Sequence, residues 1–227
     1  MNTMNSDNVP VPQRLQDLLL KSGCAPADGF QERLSQYLSL VREWNGYASL
    51  VSKGDLSSLE ESHLVDALSL APVIVRLGQG EGLLLDIGSG GGFPAIPLKT
   101  VLPDLRIVMI ERSGRKVAFL RKASAVLGFE NTVIVEGSFP ESAEAFRPSL
   151  VTGRAVEAPD RLLHQVLSFL PEGASFLCQV PADKLQIPEM FHVEHVKDEW
   201  TTKGLRRGTL SIITHAPACQ DRSDASR

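Results

Sequence analysis

The stretch Asp86-Ile87-Gly88-Ser89-Gly90-Gly91-Gly92-Phe93-Pro94 constrains the fold more than any other part of the chain. The apolar run Leu83-Leu84-Leu85 leads into it, and Pro94 and Pro97 open a helix after it. A strand, a glycine turn and a helix in succession make the first unit of an open α/β sheet. Such sheets bind ligands at the carboxyl ends of their strands. Glycines in that turn allow positive φ and a close approach of backbone to ligand.

The alternation continues downstream. Ile107-Val108-Met109-Ile110 reads as a strand ending at Glu111, followed by a helix from Arg115 to Leu127 whose inner face carries Val117, Leu120, Ser124 and Leu127. Further strands are expected at Thr132–Val135, Leu150–Thr152, Ser175–Val180 and Leu210–Thr214, with a helix over Leu162–Leu170. Strands alternating with helices predict a parallel sheet covered on both faces. Upstream the spacing is helical. Leu34, Tyr37, Leu38, Val41 and Trp44 repeat at three and four, and a second helix is expected over Leu59–Leu77. The expected organisation is a flexible terminus over 1–12, an N-terminal helical cap over 13–80, an α/β domain over 81–216 and a flexible tail over 217–227.

Lys and Arg number 23 against 27 Asp and Glu, a net charge of −4 that excludes coating nucleic acid by bulk charge yet allows a local basic patch. Cys24, Cys178 and Cys219 are odd in number and far apart, with no CxxC, which suits a reducing cytoplasm rather than a disulfide framework. The first eight residues hold no Lys or Arg and no apolar core follows, so no secretory signal is expected. The richest apolar run, Leu68–Leu77, is interrupted by Ser69, Pro72 and Arg76, so no membrane span is expected either.

Two nucleotide readings of the glycine loop compete. Gly90, Gly92 and Ala95 fit the dinucleotide pattern G-x-G-x-x-A, whose loop cradles a pyrophosphate. Asp86, however, stands two residues before Gly88 at the strand tip. A carboxylate there faces an anion poorly and suits a cationic amino-acid group. That favours S-adenosylmethionine, which has no phosphate and carries an ammonium and a sulfonium. Glu111, ending the next strand, can accept both hydroxyls of a ribose.

The string from Asp86 to Leu98 resembles the cofactor loop of the bacterial 16S ribosomal RNA guanine-N7 methyltransferases, the glucose-inhibited division protein B family. Trp44-Asn45, His63-Leu64-Val65-Asp66, Gly114–Leu120 and Gly153-Arg154-Ala155 match the same family in order, over about residues 30 to 180. The resemblance implies a Rossmann-like class I S-adenosylmethionine-dependent methyltransferase sheet with an N-terminal helical cap. It implies that Asp86, Gly88, Gly90, Phe93 and Glu111 bind the cofactor, with Phe139 and Pro140 against the adenine. Arg154 is implied near both cofactor and target, as the catalytic residue. The chain departs from the family at Ser138 and Pro140, where an arginine and an acid are usual, at Cys178-Gln179-Val180, where Lys-Gly is usual, and at Ser49-Leu50-Val51, where Asn-Leu-Thr is usual.

The expected activity is methyl transfer to guanine N7 of 16S ribosomal RNA, free or in a small-subunit assembly particle, by a cytoplasmic monomer. A methyltransferase of another substrate, or a catalytically weakened RNA-binding protein of the same fold, are the alternatives. Arg115, Lys116, Lys122 and Arg207 are the expected RNA contacts, with Phe119 interleaved on the face of Arg115 and Lys122 and with Arg206 beside Arg207. A solvated helix face is the competing explanation. His63 and Asp66 read as a structural pair, because N7 already bears a lone pair and loses no proton. Met190-Phe191-His192-Val193-Glu194-His195 contains H-x-x-H without a third ligand, so no metal is expected. Read as the codons ATG TTC CAC GTG GAA CAT, the hexapeptide is also spelled by a perfect inverted repeat. Genes of the resembled family commonly neighbour chromosome-partition genes, whose binding sites are palindromes of this appearance. The segment's sequence is therefore expected to be set partly by DNA.

Overall fold

Five apolar runs form the parallel part of one seven-stranded sheet in the computed structural model, which describes residues 11–153, 159–179, 187–206 and 208–215. These strands are β1 (Leu83–Ile87), β2 (Arg106–Glu111), β3 (Thr132–Glu136), β4 (Leu150–Gly153) and β5 (Ser175–Cys178). β6 (Phe191–Val196) and β7 (Leu210–His215) complete the order β3-β2-β1-β4-β5-β7-β6. The wholly parallel sheet expected from the alternation is thus corrected. β7 runs antiparallel to β5, and β6 antiparallel to β7 at the sheet edge. Antiparallel neighbours need no crossover helix, and among the described residues only the short α8 (Glu199–Thr202) lies between β6 and β7.

The central strands are buried on both faces, which is why they read as unbroken apolar runs. Leu84, Ile107, Met109, Leu150 and Leu177 face the core shared with the N-terminal helices. Their neighbours Leu85, Val108, Ile110, Val151 and Phe176 face the opposite core, filled by α7 (Pro159–Phe169) through Leu162, Leu163, Val166 and Leu167. Two helices, α5 (Ala95–Val101) and α6 (Gly114–Val126), join the first core.

Ahead of β1 lie α1 (Val11–Lys21) and α2 (Phe30–Ala48), the latter burying Leu34, Tyr37, Leu38 and Val41. The helix expected over Leu59–Leu77 is segmented instead. It runs through a 3₁₀ turn (Asp55–Ser58), a π turn (Glu60–Leu64), α3 (Val65–Leu68) and α4 (Ala71–Arg76). Pro72 sits in the first turn of α4. It has no N–H to donate and its ring would clash with the carbonyl four residues back, so the helix restarts rather than continues.

That break is used. The side chain of Arg206 is fully buried and donates to Ser69 Oγ and Ser69 O at 3.0 Å each. It also donates to Thr201 Oγ1 at 2.8 Å and to both carboxylate oxygens of Asp198. Arg206 therefore ties the C-terminal hairpin to the α3–α4 junction and cannot join an RNA surface. Arg207 lies outside the described residues. Trp200, also fully buried, donates from Nε1 to Ser22 Oγ at 3.1 Å and anchors the hairpin to the end of α1. Burial pushes the Cys24 thiol up to about 11, so it packs as an apolar group rather than a nucleophile.

Candidate active site

The glycine loop hangs from the neighbouring strand. Gly88 N and Ser89 N both donate to Ile110 O, at 2.9 and 3.1 Å. Gly88, Gly90 and Gly92 hold φ of 67°, 56° and 87°, which side chains rarely adopt. Their tasks differ. A Cβ on Gly92 would lie 2.5 Å from Ile96 Cδ1, so its bare backbone lets α5 pack. A Cβ on Gly88 would meet nothing within 4 Å, so its bare backbone faces open space at the carboxyl edge of the sheet.

The cap supports the loop from behind. Tyr37 Oη donates to Gly91 O at 2.6 Å. The Tyr37 ring lies 5.1 Å from that of Phe93, and the His63 ring 5.3 Å from it on a different element. Phe93, only 7% exposed, thus braces the loop against the cap. Nε2 of His63 faces Asp55 Oδ2 at 3.5 Å, and Asp66 is buried. Sequence reasoning saw Tyr37 only as part of an apolar stripe. A buried tyrosine needs a partner for its hydroxyl, and that requirement was the available signal.

Two buried carboxylates flank the loop. Asp86 is 0% exposed, and its Oδ1 accepts from Thr152 Oγ1 of β4 at 2.9 Å. Glu111 is 6% exposed; Oε2 accepts from Gly90 N at 2.9 Å and Oε1 from Ser113 N at 2.8 Å. Glu111 thereby fastens the loop to the start of α6. Each carboxylate oxygen has two acceptor sites, which leaves capacity for ligand hydroxyls. Thr152 and Ser113 were not among the expected site residues. Gly137 N donates to Glu111 O at 3.1 Å and draws in the segment after β3. There Phe139, half-buried, meets Phe169 edge-on at 5.1 Å, and Pro140 precedes a 3₁₀ turn over Glu141–Ala143.

Asp86 and Glu111 stand at the carboxyl ends of β1 and β2, and Gly88, Gly90, Phe139 and Pro140 lie on the segments leaving β1 and β3. Two buried acids beside open backbone fit a ligand with an ammonium, a sulfonium and ribose hydroxyls. A pyrophosphate would be repelled there. The residues present therefore fit S-adenosylmethionine better than a dinucleotide. Arg154 lies outside the described residues. Gly153 before it is small for a different reason than cofactor approach, because a Cβ there would press on Leu162 Cδ2 of α7 at 3.2 Å.

On α6, Arg115 and Lys122 are exposed and Lys116 is half-buried. Phe119, expected among them, is 0% exposed and packs 6.1 Å from the Trp44 ring. The helix is covered by the sheet and also by α2, so its buried face is wider than one stripe. The exposed ring beside Arg115 is Tyr47, at 60% exposure. Phe191–His195 of the Met190–His195 segment lies in the edge strand β6, where His195 Nδ1 lies 3.0 Å from Ser211 Oγ. Among the described residues no group of three or more His, Cys, Asp or Glu is placed to hold a metal ion. No described helix is long and apolar enough to cross a membrane.

Residues 30–187 match the family described as rRNA small subunit methyltransferase G. The chain is 35% identical over 143 residues to the ribosomal RNA small subunit methyltransferase G of Neisseria gonorrhoeae, covering 63% of this chain and 67% of that one. It is 29% identical over 188 residues to the Marinobacter nauticus protein of the same name, covering 81% and 85%. Among solved structures, the SAH-bound methyltransferase PaMTH1 of Podospora anserina shares the fold with a TM-score of 0.57 at 13% identity, over 96% of this chain and 100% of that one.

Proposed function

Because the chain belongs to the rRNA small subunit methyltransferase G family, we propose that it transfers the methyl group of S-adenosylmethionine to N7 of a guanine in 16S ribosomal RNA. The observation that supports this most is the pair of buried carboxylates, Asp86 and Glu111, beside the open backbone of Gly88.

The cofactor, when bound, supplies a methyl group made electrophilic by its sulfonium. The chain's own residues do the positioning. Asp86 offsets the charge of the amino-acid end. Glu111 accepts the ribose hydroxyls while keeping the loop closed on α6. Phe139 and Pro140 give the adenine an apolar wall, and Gly88 and Gly90 let the ligand rest on backbone. Guanine N7 attacks with a lone pair it already has, so no side chain has to remove a proton. What the protein contributes is alignment of N7, methyl and sulfur, which in favourable cases lowers a barrier by about 7–11 kcal/mol. Arg154, charged at any working pH, holds the target nucleotide rather than accepting a proton. Arg115, Lys116, Lys122 and Arg207 contact RNA phosphates. The enzyme works as a cytoplasmic monomer, on free RNA or an assembling small subunit, and the buried Cys24 and Cys178 suit that reducing compartment.

The test is transfer of labelled methyl to 16S ribosomal RNA taken from a strain lacking the gene. One N7-methylguanine per RNA is expected. Arg154→Ala should lower single-turnover transfer about a hundredfold at unchanged melting temperature. Arg115→Glu with Lys122→Glu should weaken RNA binding about tenfold and flatten its salt dependence by about 1.5 in log–log slope, leaving cofactor affinity unchanged. Cofactor binding without transfer would instead favour a weakened RNA-binding protein. Transfer to a different acceptor would favour another substrate.

A further inference from the structure

We propose that Tyr47 and Arg115 form a stacking platform for an unpaired base of the ribosomal RNA, next to the guanine that is modified. The proposal rests on the ribosomal RNA reading above and adds a recognition element to it.

Tyr47 lies in the last turn of α2. Its neighbours Ala48 and Leu50 turn inward and are buried. Tyr47 instead stays 60% exposed, while its ring meets Trp44 edge-on at 6.1 Å and 80°. Arg115, at the start of α6, places its guanidinium carbon 6.0 Å from the Tyr47 ring centroid. The same guanidinium donates from Nη1 to Tyr47 O at 3.3 Å, so cation and ring are held together across two elements. A single exposed aromatic is unremarkable by itself. This one differs in its company and its place.

Cations outnumber acids around it: Arg112 and Arg115 are exposed and Lys116 half-buried, against exposed Glu43 one turn back on α2 and Glu136 beside Gly114, in a chain of net charge −4. Its place is the rim of the cofactor site. Three residues after Tyr47, Leu50 packs on the glycine loop, where a Cβ on Gly91 would lie 3.3 Å from Leu50 Cβ. Three residues of chain span at most about 10 Å. Arg115 follows Glu111 by four positions, at the carboxyl edge of β2. A ring, a guanidinium plane and phosphate-binding cations at one rim suit a single-stranded nucleic acid, whose bases stack on aromatic and arginine planes whatever their sequence. With the platform gripping one base, the neighbouring guanine is held at the mouth of the cofactor site.

Binding of 16S ribosomal RNA is measured for wild type, Tyr47→Ala, Tyr47→Leu and Tyr47→Phe, each over a range of salt and with cofactor affinity as control. Tyr47→Ala and Tyr47→Leu should bind about tenfold more weakly, with the salt slope and cofactor affinity unchanged. Tyr47→Phe, which keeps the ring, should restore binding. Equal binding by Tyr47→Ala and wild type overturns the platform alone. Full binding by Tyr47→Leu overturns stacking in favour of simple apolar contact. A wild-type chain that neither binds nor methylates the RNA overturns both the platform and the reading on which it rests.

Discussion

Gly88→Val raises the Kd for S-adenosylmethionine at least tenfold, a loss of about 1.4 kcal/mol, while the protein stays folded. The two halves of this expectation have separate causes. Beyond its two chain neighbours, a Cβ at Gly88 meets no protein atom within 4 Å, so the new side chain starts out into open space rather than into packed protein. The fold loses only the strain of a branched residue at φ 67°, about 1–2 kcal/mol against a typical stability of about 5–15 kcal/mol. The open space that spares the fold is the space the ligand needs, so the isopropyl group competes with the cofactor directly. Gly92 supplies the contrast. A Cβ there would lie 2.5 Å from Ile96 Cδ1, so Gly92→Ala should lower the melting temperature instead. Calorimetric titration of folded Gly88→Val that returns the wild-type affinity would remove Gly88 from the pocket.

Asp198→Ala should destabilise the protein by about 3 kcal/mol, because it leaves the fully buried Arg206 guanidinium without a counter-charge. Asp198 is 28% exposed at its side chain, so the lower end of the usual cost for breaking a buried pair applies. For a chain of this size the melting temperature should drop by about 10 °C. The same carboxylate caps α8 by accepting from Thr201 N at 3.0 Å, which adds to the loss. Its titration gives a second readout. Burial pushes the Asp198 carboxyl up, but the hydrogen bond from Arg206, the bond from Thr201 N and the Arg206 charge outweigh that and hold it below the ordinary 3.8. In the unfolded chain the group takes up its proton at higher pH than in the folded chain. Its contribution is therefore complete above pH 3.8 and is lost as pH falls further, through the lower folded value. The stability gap between wild type and Asp198→Ala should be flat near neutrality and narrow below about pH 4. A gap unchanged down to pH 3, or absent at pH 7, would contradict the pairing.

The parts of the molecule governed by local pattern were legible from residue order. Leu83-Leu84-Leu85 before a glycine turn and prolines could be little other than β1, its loop and α5. The acids ending β1 and β2 were visible for the same reason. What escaped depended on a second element arriving from far away. Arg206 beside Arg207 looks like a surface pair until Asp198, Thr201 and Ser69 converge on it. Phe119 looks exposed on a helical wheel drawn for one neighbour, and α2 is a second neighbour. The partners of Glu111 are backbone N–H groups of Gly90 and Ser113, which carry no sequence signature. Strand β6 alternates over Phe191-His192-Val193-Glu194 but breaks the pattern at His195-Val196, a short signal at a sheet edge where charged side chains discourage further pairing. The break at Pro72 was readable from the proline alone.

The most direct test of the account is a map of N7-methylguanine in 16S ribosomal RNA from cells with the gene, without it, and with the Gly88→Val form. One guanine should carry the methyl group in the first strain, lose it in the second and regain little of it in the third. An identical N7-methylguanine pattern with and without the gene would contradict the proposed function.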